Sequence, residues 1–166
     1  MHKAPIVLAV DTPDLAIAIQ WLKATQDHVS VFKLGLEFFL TFGSDGVKAI
    51  KDVTDSDIFL DLKLHDIPHT VSGAAKAVAH LSPRYLTVHA AGGSAMIKAA
   101  VEASPKTHVT GVTVLTSLSE DDVTQIEMGA RKKIEDLLNY YSQFPFDRQD
   151  ASALSNLAML QSGWGK

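Results

Sequence analysis

Short apolar runs alternate along this chain with longer stretches whose apolar positions recur at helical spacing. Ile6 to Val10 is a continuous apolar run and predicts a first strand. After Asp11-Thr12, Pro13 is placed to open a helix whose inner face carries Leu15, Ala18, Ile19 and Leu22. Val29 to Leu34 predicts a second strand, with a helix from about Leu36 through Ile50. Ile58 to Leu62 is the third strand, and the helix from Pro68 to Leu81 after it holds small residues that permit close packing. Tyr85 to His89 is the fourth strand. Gly92-Gly93 turns the chain into a helix from Ser94 to Glu102, and Val109 to Leu115 is the fifth strand. Repeated strand-helix units predict an α/β fold, a parallel sheet with helices outside it.

After Ser117 the strand pattern stops. Ser119-x-x-Asp122 has the form of a capping box opening a helix, and Ile126, Ile134, Leu137 and Leu138 continue at helical spacing. Asn139 to Phe146 is an aromatic break, and Asp150 is placed to cap a last helix bearing Ala151, Leu154, Leu157, Ala158 and Leu160. The expected organisation is residues 1-118 as strand-helix units and 119-166 as an atypical helical tail of the same domain.

Composition narrows the class. The 166 residues are 46% hydrophobic and 20% charged, which suits one soluble domain with a sizeable core. A net charge of -4 supplies no basic field for nucleic acid or an anionic membrane. The absence of cysteine excludes disulfides, a thiol nucleophile and thiolate metal sites, and is compatible with a cytoplasmic location. The N-terminus lacks a signal-peptide pattern, and no apolar run reaches membrane-spanning length.

Chemistry concentrates in Asp61-Leu62-Lys63-Leu64-His65-Asp66-Ile67-Pro68. Strand alternation points Asp61 and Lys63 the same way, and Asp66 follows as the chain leaves the strand. The expectation is a carboxylate, an ammonium and a second carboxylate gathered at one strand end. A structural ion pair is the plain alternative.

With Thr70-Val71 after it, this segment closely resembles the active-site signature of the orotidine 5'-phosphate decarboxylase family, an Asp-x-Lys-x-x-Asp array ending the third barrel strand. Other segments resemble the family in order and spacing from about Pro5 to Leu118: Val7-Leu8-Ala9-Val10-Asp11, Phe32-Lys33-Leu34-Gly35, Thr87-Val88-His89-Ala90-Ala91-Gly92-Gly93 and Val112-Thr113-Val114-Leu115-Thr116-Ser117. The implied fold is a TIM (β/α)8 barrel. A complete barrel runs to about 250 residues, so the expectation is a truncated one, with about five units followed by the helical tail.

The resemblance implies metal-free decarboxylation of orotidine 5'-phosphate to uridine 5'-phosphate in pyrimidine biosynthesis, with no organic cofactor. It makes Lys63 the proton donor to a carbanion at C6 and sets Asp61 beside the departing carboxylate. It has Lys33 bridge the carboxylates and a ribose hydroxyl, Asp11 accept from ribose, and Thr116 contact the pyrimidine. Asp66, Ile67 and Thr70 resemble residues contributed across a homodimer interface. Structural alternatives stand beside these: Asp11 as a turn or cap residue, Lys33 as a surface lysine, Thr116 as a strand terminator. The family's phosphate grip has no counterpart motif, since Arg131 and Arg148 are the only downstream arginines and neither has a phosphate-binding context. Two other functions stay open: an inactive or split remnant that binds nucleotide or a partner chain, and a metal-dependent sugar-phosphate decarboxylase. For the latter, His65, His69 and His89 are noted, although no complete ligand set is named.

Overall fold

The structure, a computed structural model, describes residues 3–128. Two compact units divide the chain, Met1–Val114 and Leu115–Lys166.

The first unit is a five-stranded parallel sheet: β1 (Ala4–Ala9), β2 (Val29–Gly35), β3 (Asp57–Leu64), β4 (Tyr85–His89) and β5 (His108–Val112). Helices α1 (Leu15–Thr25), α2 (Leu36–Lys51), α3 (Pro68–Ala79) and α4 (Gly93–Ala103) connect successive strands. The strand order is β1-β2-β3-β4-β5. An order without reversal is that of consecutive barrel units; doubly wound sheets reverse at a switch point.

The sheet's two faces do different work. Residues of one parity, among them Val10, Phe32, Leu34, Ile58, Leu60, Leu62, Leu86 and Val88, are buried in one cluster with Leu22, Phe38, Ile50, Val71 and Met96 from the helices. Residues of the other parity, including Lys33, Asp61, Lys63 and Thr87, occupy the opposite face. Phe32 is fully buried in a central strand. Phe32→Ala should therefore lower the unfolding free energy by about 3–5 kcal/mol, measured as a lower urea midpoint at unchanged slope.

Several predicted boundaries move, each for a local reason. Helix α1 is opened by Asp14 rather than Pro13: Asp14 Oδ1 accepts from the Ala16 and Ile17 N–H groups at 2.8 and 3.1 Å. The proline side chain has no acceptor to offer the first turn. The continuous helix expected from Leu36 is interrupted at Gly43, whose φ of 60° departs from helical geometry. Strand five ends at Val112 rather than Leu115, because its last partner on β4 is His89, after which the chain enters a 3₁₀ turn, Ala90–Gly92.

In the second unit, residues 120–128 are helical. The capping box is made: the Ser119 N–H and hydroxyl donate to Asp122 Oδ2 at 2.9 and 2.7 Å, while the Asp122 N–H donates back to Ser119 Oγ. Those bonds hold the Asp122 carboxyl below its ordinary range. Predicted features beyond residue 128, including the aromatic break and the last helix, lie outside the described residues.

Candidate active site

The carboxyl ends of β1, β2 and β3 lie side by side, with Ala9 opposite Lys33 and Gly35 opposite Asp61. Asp11 follows just beyond β1. From β2, Lys33 Nζ lies 3.4 Å from Asp11 Oδ1 and 3.6 Å from Asp61 Oδ2. From β3, Lys63 Nζ donates to the same Asp61 Oδ2 at 2.8 Å. The four groups form a chain of alternating charge, Asp11–Lys33–Asp61–Lys63. Gly35 leaves room for it: a Cβ there would stand 3.1 Å from Asp11 Oδ1. Asp11 therefore pairs with Lys33, and the capping of α1 falls to Asp14.

The β3–β4 ladder is irregular at this point. Leu60 pairs with Leu86 and Leu64 with Val88, so Asp61, Leu62 and Lys63 together oppose the single residue Thr87. Such a bulge bends a strand and re-aims its side chains. Lys63 takes a φ of 50°, in the left-handed region that non-glycine residues seldom enter. Thr87 fills the gap. Its Oγ1 accepts from the Lys63 N–H at 2.9 Å and donates to Asp61 Oδ1 at 2.9 Å.

Asp61 is the electrostatic centre. Burial by itself would raise its pKa. Hydrogen bonds from Lys63 and Thr87, with the positive charges of Lys63 and Lys33, outweigh burial and hold the carboxyl below its ordinary value. Its side chain is 13% exposed, against 60% for Asp11. The centre is thus a shielded carboxylate with two ammonium groups on one of its oxygens.

Asp66 does not join this array, contrary to the expected clustering of two carboxylates around Lys63. Its Oδ1 accepts from the adjacent Ile67 N–H at 2.6 Å as the chain turns into α3, and among the described residues it forms no ion pair. Asp66, Ile67 and Thr70 are exposed together at the start of α3, Ile67 to 64%. With His65, Pro68, Ala91 and Gly92, Asp66 and Ile67 line a shallow depression. The rings of His65 and His89 pack with centroids 5.2 Å apart. Among the described residues no three His, Cys, Asp or Glu side chains converge as a metal site would require. Thr116 is exposed and lies in the second unit.

Sequence reasoning passed over Thr87 as a site residue. The available signal was a polar residue between Leu86 and Val88 in a strand whose neighbours are buried.

The family model described as "Orotidine 5'-phosphate decarboxylase / HUMPS family" matches residues 4–143. The chain is 55% identical over 117 residues to orotidine 5'-phosphate decarboxylase of Thermobifida fusca, covering 70% of this chain and 50% of that protein. Its identity to the Frankia casuarinae protein of the same name is 44% over 133 residues, covering 70% and 48%. The crystal structure of orotidine 5'-phosphate decarboxylase from Lactobacillus acidophilus is similar, with a TM-score of 0.66 at 34% identity, covering 75% of this chain and 59% of that one. The chain spans about half the length of the curated relatives it matches.

Proposed function

The chain belongs to the orotidine 5'-phosphate decarboxylase / HUMPS family, and on that premise we propose that it decarboxylates orotidine 5'-phosphate to uridine 5'-phosphate in the cytoplasm. The observation that carries the reading is the Asp11–Lys33–Asp61–Lys63 chain at the carboxyl ends of three adjacent parallel strands, where barrel active sites are built.

In the proposed step the bond between C6 and the carboxylate carbon breaks, carbon dioxide departs, and the electron pair stays on C6. The Lys63 ammonium donates a proton to C6 to complete the product, and the neutral amine regains a proton from solvent. Asp61 holds Lys63 in place; the preorganised ammonium groups stabilise the developing carbanion. Asp11 and Lys33, at the outer end of the charge chain, suit the ribose hydroxyls.

The test is turnover by the purified chain, followed as loss of substrate absorbance, with and without a chelator. Turnover that survives chelation supports this reading; a chain that leaves orotidine 5'-phosphate untouched and decarboxylates a sugar phosphate only with a divalent cation moves it to a metal-dependent sugar-phosphate decarboxylase. A second reading is binding of nucleotide or a partner polypeptide without chemistry. One observation favours it: among the described residues, β1 and β5 each pair along one edge only. A folded chain that binds uridine 5'-phosphate but turns nothing over would establish that second reading.

The proposed assembly is a homodimer in which the exposed Asp66 and Thr70 of one protomer serve the site of the other. A mixture of Lys63→Ala and Asp66→Asn proteins, each inactive alone, should then recover activity, because one site in each hybrid dimer draws both intact residues. Random exchange leaves about a quarter of all sites whole. Absence of recovery, with subunit exchange verified, would place Asp66 and Lys63 in the same protomer's site, and an Asp66→Asn protein active by itself would show that Asp66 has no part in it.

A further inference from the structure

We propose that Thr87 is a positioning residue: its single hydroxyl, set into the β3–β4 bulge, fixes both the Asp61 carboxylate and the Lys63 backbone, and so selects the carboxylate oxygen that faces the two ammonium groups. This inference rests on the active-site reading above and deepens it.

The division of labour at Asp61 is complete. Oδ1 takes the Thr87 hydroxyl proton, and Oδ2 takes Lys63 at 2.8 Å with Lys33 at 3.6 Å. Groups face Asp61 from each neighbouring strand: Thr87 on β4, Lys33 on β2 and Lys63 on its own strand, with Asp11 behind Lys33. Without Thr87 the carboxylate would be free to rotate and share both oxygens between the lysines. The same hydroxyl accepts from the Lys63 N–H, the backbone group that the bulge takes out of the strand ladder. Thr87 is 3% exposed, and its donor and its acceptor are both used. A buried β-branched strand residue whose role was packing alone would need no hydroxyl; valine has the same shape. The hydroxyl is there for the two groups it bonds. Thr87 touches no reacting atom and acts through Lys63 and Asp61.

The experiment compares Thr87→Val and Thr87→Ser in the full chain. Valine should lower kcat by about 10- to 100-fold, the range that small misplacements of reacting groups produce, with KM within threefold, and serine should restore most of the loss. Titration of the Asp61 carboxyl by 13C NMR, assigned by comparison with Asp61→Asn, gives a readout that needs no turnover. In Thr87→Val it should move upward, since one of the bonds holding it down is gone, and in Thr87→Ser it should stay near the parent. If valine destabilises the fold too far, a Ser/Ala pair repeats the comparison at matched loss of the methyl. An Asp61 titration unchanged by removal of the hydroxyl overturns the proposal, as does a serine variant no better than valine. A parent chain without turnover counts against the decarboxylase reading alone; the Asp61 titration then still decides whether Thr87 positions the carboxylate.

Discussion

Lys63→Ala should lower turnover of orotidine 5'-phosphate by about 10²- to 10⁴-fold, the span of a general acid's contribution, while melting close to the parent. The activity effect follows from position. Lys63 is the terminal cation of the charge chain, bonded on one side to Asp61. Lys33 is no substitute, because its ammonium is shared between Asp11 and Asp61 at 3.4 and 3.6 Å. The stability effect is small for a different reason. The Lys63 side chain is 36% exposed, and ion pairs that water can reach contribute only about 0–1 kcal/mol. Asp61 also keeps Thr87 and Lys33 in the variant. Steady-state kinetics beside thermal unfolding separate the two effects. A Lys63→Ala protein retaining a third or more of parental kcat would sink the assignment of Lys63 as proton donor.

Asp61→Asn should lower turnover by about 100-fold or more and change the acid limb of the stability profile. The amide keeps an acceptor for the Thr87 hydroxyl and removes the charge that holds two ammonium groups on one oxygen. The pH dependence has a definite sign. In the folded chain the Asp61 pKa is depressed: burial opposes this, but the bonds from Lys63 and Thr87 and the nearby positive charges prevail. A depressed carboxyl contributes stability fully above its unfolded pKa, about 3.9 for Asp, and that contribution is lost as pH falls from there through the folded value. The parent should therefore lose stability below about pH 4 more steeply than Asp61→Asn. At pH 7 the variant should be weaker by about 1 kcal/mol, discounted for the partial exposure of the lysines. Denaturant midpoints measured from pH 2 to 7 provide the test; parallel acid limbs would show that Asp61 is not depressed.

Much of the fold is written in local pattern. The runs Val29 to Leu34, Ile58 to Leu62 and Tyr85 to His89 are apolar enough to announce strands, and each is one. Asp61 and Lys63 were legible as neighbours from strand alternation, whereas Asp11 and Lys33 joined them only through the family resemblance. Asp11, Lys33, Asp61 and Lys63 do meet. Two of the exceptions depend on partners distant in the sequence, and a third on a local turn. Leu115 has no β4 residue to pair with, so Thr113-Val114-Leu115 after Val112 is not strand. Asp66 sits three residues from Lys63, yet the turn into α3 carries it to the surface. The bulge opposite Thr87 is a property of two strands in register, and neither strand's sequence contains it. Pro13 and Asp14 show a smaller failure: two residues competed to start α1, and the one with an acceptor oxygen won.

The positive φ at Lys63 has a meaning for protein engineering. Glycine occupies that backbone region freely, whereas a lysine there stores about 1–3 kcal/mol of strain. Lys63→Gly should for that reason yield a chain that lacks the proposed proton donor and is at least as hardy as the parent. A screen that rewards heat resistance alone would accept glycine at position 63, and only a screen that demands product would bring lysine back. Position 63 is where this scaffold's interests and its proposed chemistry part company.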